Sequence, residues 1–369
     1  MCMNHPRITL LWRRLHPYET GKDVLMVPYC LAKELEGCAD IVCNTSDAGK
    51  LPERMRGRVR LIRKPMSRKW QLRVPVNLAY LLTHSRSTDI LMLFHWRTES
   101  LLNILIYKAL NPKGKAYIKM DSIKGSEFVF GTEGGIKQKL RKRIYLHCLD
   151  KTDVISCESP DVLEKTAAYA KEKAILMPNG FDEELLQEMK LGSLGKEKLI
   201  ITAGRLGTKQ KNTQMLLEAI SEMDLKDWRI ALIGHISEDF RKELDRFVTA
   251  RPQLREKLII TGPILDKKEL WTYFAKARAF VLTSRWESYG LVLEEAARFS
   301  DYIITTPVGA ARNILASFPG EIINDSTELK TALARMIEGE IPPCRTPDTG
   351  TIEAMSWSSR IKPLADALR

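Results

Sequence analysis

Short apolar runs rich in Ile, Val and Leu alternate with longer segments of spaced apolar residues along the whole chain. The candidate strands of the first half are 8–11, 41–43, 59–62, 90–93, 116–118, 154–157 and 174–177. Those of the second half are 199–202, 229–233, 258–261, 279–282, 302–305 and 320–323. Helical segments lie between them, such as 24–35, 101–110 and 136–149. The segment 214–223 sets Met215, Leu216, Ala219, Ile220 and Met223 on one helical face. Strands apolar throughout, each followed by a helix, predict parallel sheets covered on both sides. A chain of 369 residues, at roughly 100–200 residues per domain, predicts two such domains. The turn Pro178-Asn179-Gly180 and the polar stretch 183–198 mark the joint. The expected fold is therefore α/β, with two parallel-sheet domains, 1–180 and 181–350. The last stretch, 352–368, reads as one helix that Trp357 anchors.

Seven cysteines, an odd number without a Cys-x-x-Cys pair, read as reduced thiols in a cytoplasmic protein. The opening residues read as a first strand rather than a signal peptide. No apolar run approaches the roughly 20 residues that span a bilayer. The net charge of +12 favours anionic partners. Much of the excess lies in 54–73 and in the KQKLRKR run at 137–143. The second run, with Ile136, Leu140, Ile144 and Leu146 among its charges, reads either as an ordinary helix or as an amphipathic one lying on a membrane. No basic motif interleaved with aromatics points to nucleic acid.

The chemistry concentrates in two loops of the second half. The segment Ser284-Arg285-Trp286-Glu287-Ser288-Tyr289-Gly290 follows a strand and opens a helix. Ligands of open parallel sheets bind at the carboxyl ends of strands, and a helix N-terminus favours phosphate. Glu287 in the loop and Glu295 within the helix are placed to take hydroxyl groups of one ligand. After the strand at 199–202 come Gly204-Arg205-Leu206-Gly207 and then Lys211-Asn212. Arg205 offers a planar fork of donors and Lys211 a point charge, both suited to a diphosphate.

The Gly-Arg…Lys-Asn segment, the Gly262-Pro263-Ile264 strand end and Glu287-x7-Glu295 within ESYGLVLEEA together resemble glycosyltransferase family 4, the retaining enzymes of the GT-B fold. The resemblance is closest over about 175–320. It implies two Rossmann-like doubly wound domains facing a central cleft, of which 1–180 binds an acceptor and 181–350 a nucleotide-sugar, while 351–369 crosses back to the first domain. It also implies roles. Arg205 and Lys211 bind the donor diphosphate, and Glu287 holds sugar hydroxyls. Backbone N–H groups around Ser288, Tyr289, Gly290 and Leu291 approach the phosphates and sugar. Glu295 holds the ribose, and Ile264 lies beside the base. The implied activity is a retaining transfer of a hexosyl group from a nucleotide-diphosphate sugar to a glycan or lipid-linked saccharide, in surface polysaccharide or glycoconjugate synthesis. No Asp-x-Asp motif occurs, so cationic side chains and a helix end are expected to replace a metal, and no cofactor is expected.

In the first half, His95 and Asp121 each fall just past a strand, on the expected acceptor side, with Lys119 preceding Asp121. Family members often carry a His where Asp121 stands. Asp121 could orient the acceptor, touch the transferred sugar or act as a base. Gly21 is the one glycine after the first strand, where the family often has a pair that approaches the donor phosphate. Alternatives remain at this stage: an epimerase or phosphorylase of the same fold, or a non-enzymatic binder of anionic surfaces. The expected location is cytoplasmic, and the basic helix admits a peripheral position at the inner face of the membrane.

Overall fold

A computed structural model describes residues 5–16, 19, 21–44, 51–64, 73–121, 135–189, 191 and 194–369. Cys2 and the basic stretch over 65–72 lie outside the described residues, as do the side chains of Ile136, Lys137 and Arg141. The chain divides into two units. One comprises 1–180 together with Trp357–Arg369, and the other is Phe181–Ser356.

The first unit is built on seven parallel strands: β1 (Arg7–Arg14), β2 (Cys38–Asn44), β3 (Val59–Arg63), β4 (Ile90–Phe94), β5 (Lys115–Met120), β6 (Val154–Cys157) and β7 (Ala174–Leu176). Their order is β3-β2-β1-β4-β5-β6-β7. The second unit carries β8 (Leu199–Ala203), β9 (Arg229–Ile233), β10 (Leu258–Gly262), β11 (Ala279–Leu282), β12 (Tyr302–Thr305) and β13 (Gly320–Ile322). These run β10-β9-β8-β11-β12-β13, again parallel. In each sheet the chain winds outward first to one side and then to the other. The direction reverses between β1 and β4 in the first unit and between β8 and β11 in the second. A doubly wound sheet opens a crevice at such a point, outside the strand carboxyl ends.

Both faces of each sheet are covered, which explains why the strands read as unbroken apolar runs. Successive side chains alternate between faces. Ile90, Met92 and Phe94 join one core of the first unit, and Leu91 and Leu93 join the other. Likewise Ile200 and Val281 face one core of the second unit, while Ile201, Phe280 and Leu282 face the opposite one. None of the six described cysteines is in a disulfide. Among the described residues, no helix is long and apolar enough to cross a membrane.

Within the polar stretch 183–198, Glu183–Met189 is a helix. One sequence expectation differs from the structure. The stretch 352–368 is not one helix. It forms Thr349–Met355, Trp357–Arg360 and Lys362–Leu368. Ser356 is extended and bridges to Phe181. Pro363 opens the last helix, where its missing N–H costs nothing, whereas inside a continuous helix it would remove a hydrogen bond. Met355 packs in the second unit. Trp357, Ile361, Leu364 and Leu368 pack in the first.

Candidate active site

At the switch point of the second sheet, the loop after β8 meets the loop after β11. Gly204 leaves β8 with φ +150°, and a Cβ there would fall 2.8 Å from Lys211 Cε. The absence of that carbon lets the Lys211 stem lie across the strand end. Lys211 Nζ then sits 2.6 Å from Glu287 Oε1, with side chains only 13% and 10% exposed. Ser284 donates to the same oxygen at 2.5 Å. Gln210 Nε2 donates to Glu287 Oε2 at 3.4 Å and to the Trp286 carbonyl at 3.1 Å. The exposed Arg205 donates to Gln210 Oε1 at 2.6 Å. Main-chain contacts knit the two loops further, from Arg285 N–H to the Gln210 carbonyl and from Thr283 Oγ1 to the Lys211 carbonyl.

Glu287 is held from behind by another glycine. Gly309 has φ +54°, and a Cβ there would lie 2.2 Å from the Tyr289 carbonyl oxygen and 3.2 Å from Glu287 Cβ. Gly290, at φ +89°, caps the helix Leu291–Arg298 in the left-handed conformation. The first amides of a helix lack intrahelical partners, so Leu291 opens an N-terminus next to Glu287. Ser288 is exposed. The Tyr289 side chain is buried, its hydroxyl donating to Glu294 Oε1 at 2.6 Å, so only its backbone can serve a ligand.

Glu295 does not join this cluster. Lys267 ion-pairs with it, and the Trp271 indole N–H donates to Oε1 at 3.0 Å. Trp271 in turn stacks on Phe181, ring centroids 4.7 Å apart. The four charged side chains expected on one ligand thus form two groups, Arg205–Lys211–Glu287 and Lys267–Glu295. Ile264, half-buried after β10, packs on the second of the unit's cores. Gln210, which falls between Gly207 and Lys211, and Ser284, in the loop after β11, are site residues that the sequence does not single out. Lys267 was missed because nothing nearby in sequence links it to Glu295.

In the first unit, Gly21 lies in the turn before the helix Asp23–Glu34. His95, Asp121 and Glu158 directly follow β4, β5 and β6, three neighbouring strands. His95 Nδ1 lies 2.9 Å from Asp121 Oδ1. Lys119, fully buried, pairs with Glu158 Oε1 at 2.8 Å and approaches Asp23 Oδ2 at 3.8 Å. Burial alone would raise the Asp121 carboxyl, but the His95 hydrogen bond and the charges of His95 and Lys119 outweigh it and hold it below its ordinary value. Glu158 is pushed up to about 7, chiefly by burial; Lys119 opposes this, and the Asp23 and Asp121 carboxylates add to it. Sequence reading named neither Glu158 nor Asp23. Among the described residues, no group of three or more His, Cys, Asp or Glu side chains could hold a metal ion.

Two doubly wound parallel sheets, each with polar loops at its switch point, define the class: the fold is GT-B, two Rossmann-like domains. Residues 197–339 match the family "Glycosyl transferases group 1", and the resemblance read from the motifs is borne out at that level. An uncharacterized 41.2 kDa protein from the cps region of Klebsiella pneumoniae is 26% identical over 201 residues, 51% of each chain. An uncharacterized glycosyltransferase of Methanocaldococcus jannaschii is 23% identical over 209 residues, 56% of each. These matches span about half the length of the curated relatives. Solved structures share the fold along nearly all of the chain. Anabaena HepE with UDP and glucose has a TM-score of 0.69 at 16% identity, covering 99% of both chains. Sucrose-phosphate synthase of Thermosynechococcus elongatus has a TM-score of 0.67 at 16% identity, covering 98% of both.

Proposed function

We propose that the chain is a metal-independent, retaining glycosyltransferase. It moves a hexosyl group from a nucleoside-diphosphate sugar to a glycan or lipid-linked saccharide, in surface polysaccharide or glycoconjugate synthesis. One observation carries the reading: the Lys211–Glu287 pair, cross-braced by Gln210 and Ser284, at the switch point of the second sheet and beside a helix N-terminus. A diphosphate arriving there takes over Lys211 as its counter-charge, with Arg205 swinging from Gln210 to join it. Glu287, released from the lysine, accepts hydrogen bonds from sugar hydroxyls. Glu295 meets the ribose through Oε2, since Lys267 and Trp271 occupy Oε1. Ile264 lies against the base.

As the bond from the anomeric carbon to the diphosphate breaks, negative charge grows on the leaving phosphate. Fixed donors aimed at that charge supply the main stabilisation, and removing one typically costs about 10²–10³ in rate. The acceptor hydroxyl attacks the anomeric carbon on the face from which the diphosphate departs and gives its proton to the leaving phosphate, which accounts for retention without an enzyme nucleophile. The family match and the UDP in the HepE structure support the donor class. The cps-region relative supports a surface polysaccharide as product.

The acceptor belongs to the first unit, on the side of Gly21, His95 and Asp121. A lipid-linked acceptor suits the helix Ile136–Asp150, where Leu140 and Ile144 are exposed at 60% and 44% beside exposed Lys139 and Arg143. That face fits peripheral contact with an anionic inner-membrane surface from the cytoplasm.

The test is a thermal-shift panel of nucleotide-sugars and nucleoside diphosphates, then turnover assays of Lys211→Ala and Glu287→Ala. Stabilisation by one donor and loss of transfer in both variants are expected. No shift with any nucleotide, together with salt-sensitive polynucleotide binding, would refute the reading.

A further inference from the structure

We propose that His95, rather than Asp121, is the side chain of the first unit that meets a substrate hydroxyl, and that Asp121 is a positioning residue that fixes the imidazole tautomer. This deepens the transferase reading and rests on it for the identity of the substrate.

Three independent observations converge. The first is backbone conformation. His95 has φ +59°, a region few non-glycine residues occupy and one that recurs at functional sites. The conformation is held on both sides, by His95 N–H to the Lys119 carbonyl and by Arg97 N–H to the His95 carbonyl, each 2.9 Å. It turns the chain sharply at the carboxyl end of β4, next to the β1/β4 switch point.

The second is the cavity. A space of about 470 Å³ opens beside this turn, lined by Trp12, Arg13, Asn77, Phe94, His95 and Glu99 among others. Asp121 is absent from its wall. Trp12 and Phe94 pack edge to face at 4.9 Å, and Asn77 donates to Glu99 at 3.1 Å. Aromatic faces beside amide and carboxylate groups suit a ligand with both C–H faces and hydroxyls, such as a saccharide. The volume falls within the range of small-molecule sites, about 300–1,000 Å³.

The third is the support behind the pair. Asp121 Oδ1 lies 2.9 Å from His95 Nδ1, within ion-pair distance. The buried Lys119, two residues before Asp121, is tied to Glu158 and Asp23. Burial would raise the Asp121 carboxyl, but the His95 contact and the charges of His95 and Lys119 hold it below its ordinary value, and an ionised carboxylate only accepts hydrogen bonds. The proton of a neutral imidazole must then sit on Nδ1, and Nε2 is left as the acceptor for a hydroxyl. The pattern is that of an imidazole held in one tautomer by a carboxylate, so that its other nitrogen can orient a substrate hydroxyl.

The test has two readouts on the full chain. Nitrogen NMR of the imidazole, assigned by loss of the signal in His95→Asn, reports the tautomer without any need for turnover. Asn tolerates the left-handed backbone, so that variant keeps the turn. The wild type should carry its proton on Nδ1. Asp121→Asn, whose amide can donate to Nδ1, should shift the proton to Nε2. In the transfer assay, each single variant should lower kcat by roughly 10²-fold, with donor KM unchanged. The double variant should be no slower than His95→Asn alone. A wild-type proton on Nε2, or a tautomer indifferent to Asp121→Asn, overturns the proposal whatever becomes of the donor reading. So does a double variant whose loss equals the product of the two single losses.

Discussion

Lys211 Nζ and Glu287 Oε1 lie 2.6 Å apart although 76 residues separate them in sequence. Each arrives from a different strand of the second sheet, so the pair exists only once β8 and β11 are neighbours. Both side chains are nearly buried, so each is the other's main counter-charge. Breaking such a pair from one side leaves a charge uncompensated, typically at about 3–5 kcal/mol when fully buried. Lys211→Met should therefore lower stability measurably, and the Lys211→Met/Glu287→Gln double variant should recover part of the loss. Urea melts of the three proteins check this. Losses that simply add would mean that the two groups do not depend on each other.

Gly309 supplies a second test of the same loop. Its φ is +54°, and the Tyr289 carbonyl oxygen lies only 2.2 Å from the point a Cβ would occupy, so alanine must displace the backbone that carries Glu287. Gly309→Ala should cost about 1–3 kcal/mol and weaken nucleoside-diphosphate binding, although Gly309 itself carries no charge. Calorimetric titration with UDP reads the second effect. Wild-type affinity in a destabilised variant would separate the loop from the ligand.

Glu158 makes stability depend on pH in a stated direction. Its carboxyl is raised from 4.5 to about 7 in the folded chain. Between these values the folded state holds a proton that the unfolded state has released, so this group's contribution to stability falls as pH rises through the window. Glu158→Gln cannot titrate, and its melting temperature should change less between pH 5 and pH 7 than that of the wild type. Equal changes in the two proteins would show that Glu158 does not ionise there.

The helix Ile136–Asp150 gives a prediction about surfaces. Leu140→Glu and Ile144→Glu replace exposed apolar groups, so folding should be nearly unaffected. Co-sedimentation with vesicles rich in anionic lipid should fall in both variants, and in the wild type when salt is raised. Binding to anionic vesicles that matches the wild type in both variants would remove this helix from the membrane reading.

The strands were legible in the sequence because both faces of each sheet are buried, which turns every strand into an apolar run that needs no tertiary knowledge. The loops after β8 and β11 were legible because polar groups at strand ends stand out against such runs. Partnerships across segments were not. Lys267 and Glu295 are 28 residues apart, and Lys119 meets Asp23 across 96, a separation no local pattern encodes. The broken C-terminal helix was a missed local signal, since Pro363 stood in plain view within an otherwise periodic stretch.

Trp357→Ala should destabilise the first unit by about 3–5 kcal/mol, because Trp357 is 3% exposed within the core that also holds Val24, Val27 and Leu31. Hydrogen exchange resolved by segment checks it. Protection should drop in 23–34 and persist in 199–203.

The return of the chain from Ser356 to the first unit also imposes an order of events during synthesis. The first sheet leaves the ribosome before the second has been translated, yet Trp357, Ile361 and Leu364, which cover the helix Asp23–Glu34, follow both. The earlier-made half therefore waits, greasy on one flank, while the later-made half closes ahead of it. A stop codon ahead of Trp357 would leave that flank of the amino-terminal half uncovered.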